Sequence, residues 1–157
     1  MKKTDTIAAI ATAMTSAGIG IIRISGDDAL TITDQIFKAK SGKKVTEMET
    51  HTLHYGFICD GEEVVDEVLV MVMRAPKTFT GEDTVEIDCH GGVYAMNRVL
   101  ETVLKNGAKI AGPGEFTKRA FLNGRLDLSQ AEAVMDVIQA KNEYALKSSM
   151  SQLKGSV

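Results

Sequence analysis

The sequence predicts an α+β fold, a mixed sheet with packed helices, followed by one long α-helix. Three observations carry this. Val68–Met73 reads VLVMVM, apolar at every position, within a set of strand-like runs. Val93–Lys105 repeats apolar residues at helical spacing between a Gly-Gly pair and Gly107. From Glu115 onward the character changes, and after Gly124 neither Gly nor Pro occurs until Gly155.

Each element follows in order. Thr6–Ala11 and Ile19–Ser25 read as strands joined by a small-residue loop. Ser25 and Asp28 are placed to cap a helix through Phe37. KAKSGKKVTEME, from Lys38, is a polar connector. His51–Cys59 and Val64–Met73 form a hairpin around Asp60-Gly61, with a loop slightly longer than the tightest type. The continuous apolar run in its second arm calls for a central strand covered on both faces, and Pro76 ends it. Thr84–His90 is a strand, Val93–Lys105 an amphipathic helix, and AKIAGPG a short strand and turn. EFTKRAFLNGRLDL gives a short helix, a break at Gly124 and a new start, with Ser129 and Glu132 as a capping box. The helix that follows should run about 26 residues, roughly 39 Å. Its apolar residues, among them Val134, Ile138, Leu146 and Leu153, spread beyond one stripe, so it is expected to pack on helices absent from this chain. The expectation is a fragment: an α+β domain over 1–119 and the beginning of a helical one over 120–157.

The bulk numbers narrow the function. A chain of 157 residues, 44% apolar and 25% charged, suits a globular domain that needs no staple. A net charge of −3 gives no basic field to hold DNA or RNA tightly. Cys59 and Cys89 have no metal-like spacing and read as buried thiols in a reducing, cytoplasmic setting. No run reaches the roughly 18 apolar residues of a membrane span, and Asp5 and Arg23 break the N-terminal apolar stretch that could suggest a signal peptide.

The densest chemistry lies in TGEDTVEIDCHGG, Thr80–Gly92. On a strand, Val85, Ile87 and Cys89 face one way and Glu86, Asp88 and His90 the other. Three readings remain open for that polar face. It can be solvated surface. It can hold a metal, although no second His or Cys cluster supports one. Or a carboxylate can accept two parallel hydrogen bonds from a planar donor edge, such as the aminopyrimidine edge of a pterin. Gly91-Gly92 before a helix can present N–H groups to an anion, but a tight turn explains it equally, and no GxxxxGK[ST] loop occurs. Arg23 among Ile21, Ile22 and Ile24 needs a partner or an outward-facing position. Glu115, Lys118, Arg119 and Arg125 cluster in sequence near the expected domain junction. Tyr55, Phe79 and Phe116 are core or pocket wall, and His51 and His54 are ordinary strand positions.

Four motifs in order, DTIAAIAT, GIGIIRISG, FTGEDTVEIDCHGG and AGPGEFTKRAFLNGRLDLSQAEAVMDVIQA, resemble the N-terminal part of the MnmE (TrmE) family of tRNA modification GTPases. The resemblance spans nearly the whole chain except 38–50. It implies a domain similar to the tetrahydrofolate-binding domains of aminomethyltransferase-like proteins, which binds 5-formyltetrahydrofolate and mediates homodimerisation. It implies a helical domain next, carrying a GTPase domain that uses GTP, Mg2+ and K+. With the FAD-dependent partner MnmG, the whole protein would form carboxymethylaminomethyl-uridine at the tRNA wobble position. The family's folate contacts fall on Arg23, Glu86 and Arg125, with Asp88 and His90 supporting or at the surface. The alternative is an assembly module with a vestigial pocket. Two features depart from the family pattern: Thr12–Gly18 lacks the usual Pro-Gly-rich character, and Arg125 stands where lysine is common. The guanine-nucleotide motifs are absent from this stretch, so it should not hydrolyse GTP alone.

Overall fold

A computed structural model describes residues 5–12 and 19–140. Seven strands form one sheet: β1 Ile7–Ile10, β2 Gly20–Ser25, β3 Phe37–Ala39, β4 Thr52–Asp60, β5 Glu63–Met73, β6 Thr84–Cys89 and β7 Lys109–Ile110. Their spatial order is β3-β4-β5-β6-β2-β1-β7. Every pairing is antiparallel except β1 with β7, so the sheet is mixed. Helices α1 (Ala29–Ile36) and α2 (Gly92–Lys105) supply Leu30, Ile32, Ile36, Met96, Val99 and Val103 to one core with Ile22, Ile24, Val68, Val70, Val72, Val85 and Ile87. On both helices the buried residues recur at three- and four-residue intervals, which is what aligns them on one stripe. A short helix, α3 (Glu115–Leu122), precedes a further helix, α4, described over 128–140. The rest of the long helix, and most of the Thr12–Gly18 loop, lie outside the described residues.

Several expectations need correction. Ser25 does not cap α1: its buried hydroxyl donates to Glu82 at 2.9 Å and shares a 2.7 Å hydrogen bond with Thr80. Asp28 occupies the N-cap position but makes no side-chain cap bond. The helix stops at Ile36, because Phe37 is already extended and opens β3. The "connector" is likewise structured. Asp34 accepts from the Val45 N–H at 2.8 Å, and a 3-10 turn over Val45–Glu47 buries Val45 and Met48 beside α1. Arg74 fastens that turn through the Thr46 and Met48 carbonyls. The β4–β5 loop is two residues, since Asp60 pairs with Glu63, and Gly61 there has φ +61°. The capping box of α4 is formed by Asp127 and Gln130, which exchange bonds of 2.9 and 2.7 Å, rather than by Ser129 and Glu132.

The VLVMVM strand lies inside the sheet, but its two faces differ. Val68, Val70 and Val72 are fully buried, while Leu69, Met71 and Met73 are only half-buried. On that second face Leu53 and Tyr55 of β4 are exposed. The expected double cover is therefore incomplete among the described residues.

One glycine controls the sheet edge. A Cβ on Gly56 would collide with the Lys38 carbonyl and come within 2.8 Å of the Ala39 Cα. Gly56→Ala should therefore push β3 away from β4 and cost about 1–3 kcal/mol. Chemical denaturation with amide exchange at Phe37–Ala39 checks this; unchanged stability and protection would contradict it.

Candidate functional site

The polar face of β6 is the face turned away from α1 and α2. Val85, Ile87 and Cys89 point into the core, Glu86 and Asp88 point out half-buried, and His90 just beyond the strand is exposed. Strand register sets Arg23 opposite Glu86 on one side and Ala9 on the other. Arg23 Nε donates to Glu86 Oε2 at 2.9 Å. Glu86 Oε1 takes no hydrogen bond among the described residues. The Arg23 guanidinium carbon lies 5.8 Å from the centroid of Phe79 and 5.4 Å from that of Phe116, within cation–π range of both. So the cation that interrupts an isoleucine strand is partnered three ways.

Arg23, Phe79 and Phe116 border a cleft of about 520 Å³; Glu86 does not line it and is tied to it through Arg23. Its walls are Ala9 and Ile10 of β1 with Ala11 just beyond it, the Ala111–Gly114 turn, Phe79, Phe116 and Thr117, with Val134 and Ile138 of α4, and Arg23 reaches into it. This size and mostly apolar lining, with a few convergent polar groups, suit a small organic molecule. Phe79 and Phe116 are thus pocket wall rather than core. The third candidate, Arg125, does not line the cleft. Its Nε donates to the Thr78 carbonyl at 2.9 Å, against the turn that carries Phe79. Arg23 and Glu86 come together directly; Arg125 joins them only through that turn.

Sequence reasoning missed how the walls are tied. Arg119, 9% exposed, donates from Nη1 to both Glu82 oxygens at 3.2 Å and from Nη2 to Glu115 Oε2 at 3.1 Å. Glu115 Oε1 accepts from the Gly112 N–H at 3.0 Å, and Asn123 Nδ2 donates to the Thr80 carbonyl at 2.8 Å. The Glu115–Arg119 spacing of four residues was a visible signal for a helical ion pair. The reach to Glu82, 37 residues away in sequence, had no signal.

The other candidates resolve differently. The N–H groups of His90 and Gly91 both donate to Asp66 Oδ2, at 3.0 and 3.2 Å, so this chain's own carboxylate occupies the anion position before α2. Among the described residues no three His, Cys, Asp or Glu side chains gather as metal ligands. His51 bonds the Lys77 carbonyl and His54 the Thr52 hydroxyl, both away from the cleft. Cys59 and Cys89 are free and buried, and burial pushes the Cys89 thiol up to about 12, which makes it a poor nucleophile at neutral pH.

Asp88 sits between Leu69 and Ile21 on the half-covered face. Burial raises its pKa, the Glu86 charge adds to this, and His90 opposes it. The folded chain therefore holds this proton to higher pH than the unfolded chain. Stability drains away as pH rises from the ordinary aspartate range through the raised value. Asp88→Asn should melt slightly higher than the parent at neutral pH, and the gap should close as pH falls below the ordinary range. Paired melts across that window check it, and a variant less stable at neutral pH would contradict it.

Residues 6–125 match the family model described as "GTP-binding protein TrmE N-terminus". The chain is similar to proteins named "tRNA modification GTPase MnmE" from three bacteria. It is 65% identical to that of Lachnoclostridium phytofermentans over 99% of this chain, and 57% identical to that of Geobacillus kaustophilus over 99%. It is 55% identical to that of Bacillus subtilis over 96%. It spans about a third of the length of these relatives, 34%, 34% and 33% respectively.

Proposed function

This chain belongs to the GTP-binding protein TrmE N-terminus family, and from that premise we propose that it is the folate-binding and dimerising part of a tRNA modification GTPase. Residues 1–119 form the folate-binding and dimerisation domain, and 120–157 begin the helical domain. The division falls inside α3, so the two parts share one helix. In the whole protein a GTPase domain would use GTP with Mg2+ and K+. With MnmG, the protein would build carboxymethylaminomethyl-uridine at the wobble position of tRNA in the cytoplasm.

The observation that carries this reading is the Arg23–Glu86 pair beside an aromatic-walled cleft. A pterin is planar and offers adjacent N–H donors along one edge. Glu86 has one oxygen free of hydrogen bonds among the described residues, and the Phe79 and Phe116 rings suit the faces of a heterocycle. The donor set therefore fits 5-formyltetrahydrofolate, which brings a one-carbon unit; Arg23, Glu86 and Arg125 are the proposed contacts. Dimerisation is supported by the half-covered second face of the sheet, where Leu53 and Tyr55 are exposed.

Calorimetric titration with 5-formyltetrahydrofolate, alongside light scattering, tests the reading. Saturable binding to a dimer is the expected result. A dimer without binding would leave the assembly-module alternative, in which these residues only shape an interface. A monomer at tens of micromolar protein would count against both. Guanine nucleotides should not bind, since the chain has no phosphate-cradling loop.

A further inference from the structure

The cleft's two aromatic walls belong to segments far apart in sequence. Phe79 sits in the turn between β5 and β6, and Phe116 on the first turn of α3. Nothing in the sheet ladder holds one to the other. Arg119 does. Its side chain is buried, and its two Nη atoms point to opposite sides: Nη1 to Glu82, three residues after Phe79, and Nη2 to Glu115, adjacent to Phe116. Each carboxylate is anchored again on its far side. Glu82 Oε1 accepts from Ser25 Oγ at the end of β2 at 2.9 Å, and Glu115 Oε1 accepts from the Gly112 N–H of the wall turn at 3.0 Å. The chain of contacts therefore runs from the sheet, through one guanidinium, to the opposite lip of the cleft.

We propose that Arg119 is a positioning residue for the cleft: clamped between Glu82 and Glu115, it sets the separation of Phe79 and Phe116 and so the width of the slot that admits a planar heterocycle. The inference rests on the folate reading for the identity of that heterocycle, while the clamp itself is ligand-independent. An arginine suits this role because its planar fork presents donors at fixed separation and direction. A lysine keeps the charge between the two carboxylates but offers one ammonium on a flexible stem, so the neutralisation survives and the spacing does not.

The test uses the 157-residue chain with 4-fluorophenylalanine at its five phenylalanines, their fluorine resonances assigned by single substitution. Arg119→Lys is the main variant, and Glu115→Gln is the second, since it leaves Arg119 in place and loosens only one arm. Thermal melts identify any variant that fails to fold. In Arg119→Lys the Phe79 and Phe116 resonances should shift or broaden while those of Phe37 and Phe57 stay, and affinity for 5-formyltetrahydrofolate should fall roughly tenfold or more. Glu115→Gln should move Phe116 with a smaller loss of affinity. A general loosening of the fold would move Phe37 as well, and that result overturns a positioning role. Unmoved Phe79 and Phe116 resonances in a folded Arg119→Lys overturn the clamp, and moved resonances with parent-like affinity overturn its control of the slot. If the parent itself does not bind 5-formyltetrahydrofolate, the folate reading fails, and the resonances alone decide whether the clamp stands.

Discussion

Glu86→Gln is expected to weaken 5-formyltetrahydrofolate binding by roughly 30- to 150-fold, about 2–3 kcal/mol, with the fold intact. A carboxylate can accept both hydrogen bonds of a pterin donor edge; an amide accepts one and turns a donor toward the other. Glu86 also accepts from Arg23 Nε, so the substitution weakens the group that orients the Arg23 guanidinium between Phe79 and Phe116. The two effects act in the same direction. The fold should survive because the Glu86 side chain is 23% exposed and lies on the face away from the core. Arg23→Ala should weaken binding too, with some loss of stability, whereas Asp88→Asn should bind like the parent because no direct contact is assigned to it. Calorimetry on the three variants, with melts as a folding control, gives the answer. Parent-like binding by Glu86→Gln together with a loss in Asp88→Asn would mean that the pterin is read by the other carboxylate. Parent-like binding by all three would place the pocket elsewhere.

Ile87→Ala should have the largest effect on stability, about 3–4 kcal/mol. Ile87 is fully buried in β6, the middle strand of seven, directly opposite Ile22 of β2 and Val70 of β5. Both neighbours are fully buried as well, and α1 and α2 close the layer above them. A strand hydrogen-bonded on both sides cannot shift to refill the lost volume, so most of the cavity term remains. For a chain of this size the melting temperature should fall by about 6–16 °C. Thermal and urea melts measure it, and a loss under about 1 kcal/mol would show that this layer repacks more freely than its geometry implies. The same substitution at half-buried Met71, on the opposite face, should cost much less.

The sequence by itself determined the parts of this protein that local pattern encodes. Alternation at Val85, Ile87 and Cys89 against Glu86, Asp88 and His90 assigned the core and outer faces of β6, because a period of two leaves no other choice on a strand. Apolar spacing and a following glycine marked α2, and an unbroken run of Gly- and Pro-free residues marked the start of α4. Four motifs carried the family. Local pattern was silent where a segment's conformation is decided by a distant neighbour. Nothing around Phe37–Ala39 signals a strand; it becomes one because β4 offers an edge and Gly56 lets the two backbones close. Ser25 and Asp28 look like helix caps, but a buried hydroxyl bonds whatever lies nearest, and for Ser25 that is Thr80 and Glu82, more than fifty residues on. The cleft belongs to the same class. Arg23 meets Glu86 through strand register, Phe79 and Phe116 come from a turn and a helix to the same guanidinium, and Arg119 ties their segments by side-chain reach. Such contacts are set by where folding brings two segments, and only the tertiary structure decides that.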